Sequence, residues 1–83
     1  MLDTYTIVGY DKDNDVYEVL DDGYSLSIEA EIEARNFVSL MNEGKLRRDN
    51  GEPFDWVEIY HDYGGEEETM VWASWCDFEN LTA

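Results

Sequence analysis

Positive charge is scarce in this chain of 83 residues: five Lys and Arg stand against 21 Asp and Glu, which gives a formal net charge of −16 at pH 7. An excess of this size repels the phosphates of nucleic acid and the anionic headgroups of membranes. Long hydrophobic runs are missing too, and no stretch approaches the roughly 18 apolar residues of a transmembrane helix. The sequence therefore argues against a protein that binds nucleic acid directly or sits in a membrane.

Residue types that build reactive or metal-binding sites are also few. Cys76 is the only cysteine and His61 the only histidine, so no internal disulfide can form and a Cys-His catalytic pair would need both. The chain has no C-x-x-C motif, no histidine cluster and no glycine-rich phosphate loop. We expect no enzyme activity, no catalytic residue, no metal and no cofactor. The lone cysteine, with no export signal after Met1, predicts a cytoplasmic protein.

Apolar residues, by contrast, are frequent enough to build a core. Hydrophobic residues make up 43% of the chain and aromatic residues 14%, so the low hydrophobicity typical of disordered chains is absent. The length fits a single domain over residues 1–83. A domain this small hides only about 60–65% of the surface that its unfolded chain exposes. We therefore expect modest stability, which repulsion among the carboxylates lowers further.

The predicted elements follow the order ββαββ. Residues 4–10 and 16–20 are rich in β-branched and aromatic types and predict two strands around an Asp- and Asn-rich turn. The run 21–23 is expected to end the second strand. Residues 54–61 and 69–76 predict two more strands. The fold class is α+β: an antiparallel sheet of about four strands with one helix packed on one face.

The helix is predicted from a segment that fits two structures. Over residues 24–34 the apolar positions alternate as in a strand, whereas the Ala, Glu and Arg content favours a helix. We choose a helix over 28–43, with Ser27 as N-cap and Gly44 as its stop. Its apolar stripe consists of Ala30, Ala34, Phe37 and Met41. Two apolar residues then fall on the opposite, polar side: Ile28 and Ile32.

The stretch DKDNDVYE, residues 11–18, places aspartates at alternate positions, as in the first half of an EF-hand calcium loop. Val16 stands where that loop needs Gly, and Asp22 stands where it needs Glu. The flanking segments also predict strands, whereas an EF-hand loop lies between helices. We interpret the stretch as a turn that carries carboxylates, and weak cation binding over 11–22 stays open.

Carboxylates concentrate in the first hairpin, on the helix and in the last turn. Glu29 and Glu33 lie one helical turn apart, where like charges cost a few tenths of a kcal/mol, so their spacing gives the helix no local benefit. A solvated polar surface is one interpretation. The other is that the carboxylates take the place of nucleic-acid phosphates in the Lys- and Arg-lined groove of a basic partner. The predicted phosphate mimics are Asp13, Asp15, Glu29, Glu33, Glu66 and Glu67.

Apolar side chains occupy both sides of the last two predicted strands, yet one helix covers only one side of a sheet. Trp and Tyr are enriched among the residues that dominate protein interfaces. We therefore predict Trp56, Tyr60 and Trp72 as aromatic anchors on the uncovered side. A second small core or a homodimer contact would explain the same pattern.

In size, in acidity, in lack of catalytic groups and in the carboxylates of residues 11–33 and 66–68, the chain resembles small acidic proteins that phages and mobile elements use against host defence. These include anti-CRISPR proteins and other DNA mimics that block Cas nucleases or restriction enzymes. The resemblance implies a stoichiometric inhibitor, monomeric or homodimeric, in the host cytoplasm. Two alternatives stay open: an immunity protein or antitoxin against a basic nuclease toxin, and a non-inhibitory acidic homodimer.

Overall fold

A computed structural model describes residues 4–48, 51, 53–66 and 68–74 and shows an α+β fold. Its elements are β1 (Tyr5–Asp11), β2 (Val16–Tyr24), α1 (Ser27–Asn42), β3 (Trp56–His61) and β4 (Thr69–Ala73). The strands form one antiparallel sheet in the order β2-β1-β3-β4. The predicted fold class and element order are confirmed. The last predicted strand is observed as far as Ala73, and its final residues 75 and 76 lie outside the described part of the chain.

The central strand β1 gives the sheet two ends that matter for function. Tyr5 pairs with Tyr24 at the end of β2 and with His61 at the end of β3. The start of α1 and the turn between β3 and β4 therefore lie at this end, the Tyr5 end. At the opposite end Asp11 pairs with Val16 across the first hairpin, and we call this the Asp11 end. The seven residues of β1 separate the two ends by roughly 20 Å.

The core lies between α1 and one face of the sheet. Its buried members are Ile7, Ala30, Ala34, Val57 and Ile59. The two alanines allow α1 to approach the sheet closely, and Phe37 and Met41 pack at the edge of the cluster. The predicted stripe is therefore confirmed. Ile28 and Ile32 are exposed on the other side of α1, as the helical period predicted.

The two ends of α1 differ in how they are capped. Its N-cap is Leu26, and no side chain bonds the first amides, so the prediction of Ser27 as the cap was wrong. At the other end Gly44 adopts a φ of 75°, and the amides of Gly44 and Lys45 donate to carbonyls of the last turn. This is a Schellman ending, in which glycine avoids a Cβ clash, and it confirms the predicted stop. Within the described residues, no helix has the length and apolar character that crossing a membrane would require.

Strand β2 continues beyond the expected stop at residues 21–23 and ends at Tyr24. Two register shifts against β1, on either side of Ile7, absorb the additional residues. Gly23 sits at a φ of 83°, a backbone conformation that costs glycine little. Residues 21–23 therefore belong to β2 and do not end it, and the prediction of a shorter strand was wrong.

Candidate functional site

The five Lys and Arg cannot neutralise the carboxylates, because 16 acids would remain if each cation took one. Arg35 bonds Glu31 at 2.8 Å, one helical turn away, and Lys45 lies 3.9 Å from Glu43. Arg47 donates to the backbone carbonyls of Gly44 and Gly51, in the connection after α1. These three cations thus make contacts within the chain, and most carboxylates in the described ranges are exposed.

At the Asp11 end a buried carboxylate holds the first hairpin together. Asp11 is only 3% exposed and accepts bonds from the amides of Asp13 (3.1 Å) and Asn14 (3.4 Å) and from the Asn14 side chain (2.6 Å). Arg48, in the connection after α1, forms an ion pair with the same carboxylate. Asp11 is therefore a structural residue, and the exposed acids of this turn include Asp13 and Asp15.

The alternating aspartates of residues 11–18 serve this turn between two strands. Asp15 adopts a left-handed φ of 53°, which Asp tolerates better than most residues, and it accepts a bond from the Tyr10 hydroxyl at 2.6 Å. Both flanking segments are strands, whereas an EF-hand loop lies between helices. In the described ranges no group of three or more His, Cys, Asp and Glu side chains is placed to hold a metal.

At the Tyr5 end a second group of carboxylates surrounds the phenol of Tyr24. Its hydroxyl donates to Asp21 at 2.5 Å. This hydrogen bond, desolvation and the negative field of Asp21, Glu33 and Glu29 raise the pKa of Tyr24 to about 12. Glu66 is exposed in the turn between β3 and β4, at the same end. Three predicted phosphate mimics therefore lie at the Tyr5 end: Glu29, Glu33 and Glu66.

The predicted phosphate mimics thus form two groups. Asp13 and Asp15 lie at the Asp11 end, and the three glutamates lie at the Tyr5 end, about 20 Å of strand away. Glu67 lies outside the described residues. The described carboxylates therefore lie in two separate groups and do not form a single patch.

Among the described residues, five aromatic side chains lie on the face of the sheet opposite α1, which we call the aromatic face: Tyr10, Tyr17, Trp56, Tyr60 and Tyr63. The ring of Tyr10 lies 4.6 Å from that of Tyr17 and 4.7 Å from that of Trp56. Tyr60 meets Tyr17 edge-on at 6.1 Å and Tyr63 at 5.7 Å. Aromatic pairs attract at such centroid distances, so the rings form one connected cluster.

Carboxylates fix the orientation of these rings. Glu58 is 4% exposed and accepts bonds from the Trp56 indole (2.8 Å) and the Tyr60 hydroxyl (2.9 Å). Burial and the bond to Glu58 raise the pKa of Tyr60 well above its ordinary value. The hydrogen bond to Asp15, followed by desolvation, raises the pKa of Tyr10 to about 12. Both hydroxyls therefore stay protonated, and keep donating, to a higher pH than an ordinary tyrosine.

Two of the three predicted anchors, Trp56 and Tyr60, lie on the aromatic face, where both are half-buried. The predicted placement of Trp72 needs correction. Trp72 packs against the core beneath α1 and pairs with Ile59, and the guanidinium of Arg35 lies 5.6 Å from its ring centroid. The cause is a β-bulge, a register shift between the partners of Ile59 and Tyr60, which breaks the alternation on which the prediction relied.

The aromatic face also covers two fully buried residues, Val8 and Ala73. Their strand pairing with Glu58 places both on this side of the sheet. The rim of the face is accessible: Tyr17 is 43% exposed, and Val19 beside it is also exposed.

Three residues of this surface were not predicted from the sequence: Tyr10, Tyr17 and Glu58, whose carboxylate is buried. The two tyrosines pair directly across the first hairpin, so aligning the predicted strands around their turn would have placed them together. The site as a whole offers carboxylates and aromatic rings, the groups that bind guanidinium and ammonium ions. The chain has no significant match to a protein-family model, to a curated protein or to a solved structure.

Proposed function

We propose that this protein is an inhibitor that mimics nucleic acid. It occupies the basic nucleic-acid groove of a host-defence nuclease, either a Cas effector or a restriction enzyme, and blocks DNA binding. It acts by stoichiometric binding, without catalysis, in the cytoplasm of the host cell. The observation that carries the proposal is a net charge of −16 together with exposed carboxylates at both ends of the sheet, among them Asp13 at one end and Glu29 at the other.

The carboxylates are held by secondary structure, which favours tight binding. Asp13 and Asp15 belong to a turn that Asp11 closes, and Glu29 and Glu33 project from α1. Fixed charges lose little conformational freedom on meeting a groove of Lys and Arg. The arginine fork binds a carboxylate in much the same geometry as a phosphate. The protein therefore competes with DNA for the same cations.

The test is competition for DNA on a panel of purified Cas nucleases and restriction enzymes. Labelled target DNA is followed by fluorescence polarisation as the protein is titrated in. We expect DNA release to saturate at one protein per DNA-binding site, and the affinity to fall at least tenfold between 50 and 200 mM salt, since charge neutralisation dominates such binding.

Two double variants with the same net charge separate specific carboxylates from bulk charge. Glu29→Gln with Glu33→Gln removes two negative charges at the Tyr5 end. Ser39→Lys with Asn42→Lys adds two positive charges at exposed positions on α1 and keeps every carboxylate. We expect the two glutamine substitutions to weaken inhibition about tenfold per carboxylate, because a charged hydrogen bond contributes roughly 1.5 kcal/mol or more. The two lysine substitutions should weaken inhibition far less.

Three results would contradict the proposal: equal losses from both pairs, a complex that persists undiminished in molar salt, or no nuclease affected. Capture of a single toxin nuclease would instead indicate an immunity protein. Light scattering that shows a stable dimer without affinity for any basic protein would indicate the acidic homodimer.

A further inference from the structure

We infer that the aromatic face is an arginine-recognition surface, on which guanidinium groups of the basic partner stack while nearby carboxylates accept their N–H bonds. The inference rests on the proposed function, because it names the side chain through which that same partner is anchored. It adds Tyr10 and Tyr17 to the anchors predicted from sequence.

The rim of the aromatic face is open to a partner. Tyr17 is 43% exposed, and Val19 and Tyr63 are exposed as well. The only helix of the described residues packs on the other face, against Ile7 and its neighbours. A flat side chain can therefore lie on the outer rings without displacing any described element.

The chemistry of the rim suits a planar cation. The face of an aromatic ring attracts a cation within about 6 Å of its centroid. The exposed carboxylate of Asp15 adjoins the rings and can accept from a guanidinium, since it already bonds the hydroxyl of Tyr10. The buried carboxylate of Glu58 bonds Trp56 and Tyr60. These bonds also hold the rings in place before binding, which lowers the entropic cost. A guanidinium is planar and weakly hydrated, so it stacks more readily than the compact ammonium of lysine.

The chain already contains one such arrangement on the helix side of the sheet. The guanidinium carbon of Arg35 lies 5.6 Å from the ring centroid of Trp72, and an N–H of the same group bonds Glu31 at 2.8 Å. Ring and carboxylate thus hold one arginine together. The aromatic face offers the same two components, with more rings, to a cation from outside.

The net charge of the chain favours a cationic protein over two other occupants of the aromatic face, a nucleic acid and a second copy of the chain. Aromatic rings on a sheet also stack nucleobases, but a net charge of −16 repels the phosphates that accompany them. A second copy of the chain would bring an equal negative charge against the same face, and like charges oppose that contact. A cationic protein surface is the occupant that the field attracts.

The experiment uses an oligoarginine and an oligolysine peptide of equal length, titrated into ¹⁵N-labelled protein at physiological salt. We expect oligoarginine to bind about two- to fivefold more tightly for each stacked guanidinium and to shift the indole N–H of Trp56 and the amides of β2. Tyr17→Ala should abolish the preference for arginine, and Tyr17→Phe should retain it. Ile32→Ala, at an exposed apolar position on α1, is the control and should change nothing.

Equal affinity for the two peptides, or a preference that survives Tyr17→Ala, overturns the inference. Shifts of the same resonances by single-stranded DNA or by self-association overturn it as well. If Tyr17→Ala fails to fold, the map of shifted resonances in the parent protein decides. Equal binding of both peptides away from the aromatic face would defeat only this inference, whereas binding of neither peptide would defeat the proposed function too.

Discussion

Breaking the buried ion pair between Asp11 and Arg48 should destabilise the whole protein. Both side chains are almost wholly buried, so the Arg48→Met variant leaves a carboxylate out of water without its cation. Removing one partner of a buried pair typically costs about 3–5 kcal/mol. Asp11 keeps the donors of its own turn, so we expect the lower value, about 3 kcal/mol.

That loss is large for a chain of this size. At roughly 0.05–0.15 kcal/mol per residue, 83 residues have a total unfolding free energy of about 4–12 kcal/mol. Arg48→Met should therefore remove at least a quarter of it. The hairpin tip that carries Asp13 and Asp15 should loosen at the same time, because Asp11 closes its turn.

Urea unfolding at pH 7, followed by tryptophan fluorescence, measures the effect. Lys45, exposed in the same connection, makes only a surface ion pair with Glu43 and supplies a control: Lys45→Met should cost within about 0.5 kcal/mol. The double variant Asp11→Asn with Arg48→Met removes both charges, so it should be more stable than the sum of the single losses by about 1 kcal/mol or more. A cost below about 1 kcal/mol for Arg48→Met, or strict additivity, would refute the assignment of a buried pair.

Two further predictions concern packing and alkaline stability. Gly9→Ala should cost about 1–3 kcal/mol in urea unfolding, because the added Cβ would lie 2.6 Å from Cδ1 of the buried Phe54 ring; a variant as stable as the parent would contradict this packing. The pKa of Tyr10 and of Tyr24 is raised to about 12, against about 10 in an unfolded chain, so their contribution to stability is complete below pH 10 and is lost as the pH rises through 12. Ultraviolet titration should show Tyr24→Phe losing one late-ionising phenol, and an unchanged late phase would disprove that assignment.

The parts of the fold that depend on local pattern could be predicted from the sequence. The apolar stripe of Ala30, Ala34, Phe37 and Met41 correctly predicted a helix, although residues 24–34 also alternate as in a strand. The features that depend on a partner strand could not be predicted. Register shifts against β1 carry β2 through Gly23 to Tyr24, and a shift against β3 turns Trp72 toward the helix.

The candidate site was predictable in its charge and not in its arrangement. Asp11 and Asp13 look equivalent in the sequence, yet one is buried and the other exposed. The difference arises from Arg48, which lies 37 positions later and reaches only the first of them. Glu58 likewise looks like any other acid until Trp56 and Tyr60 close over it.

The placement of the few cations has a consequence for the approach to a partner. Lys12 belongs to the first hairpin, and Lys45, Arg47 and Arg48 belong to the connection that Arg48 attaches to Asp11. Four of the five Lys and Arg therefore lie near the Asp11 end, and the carboxylates of the Tyr5 end have fewer cations beside them. If the target is the basic protein that we propose, its positive field attracts the Tyr5 end more strongly and turns the protein before the two surfaces touch.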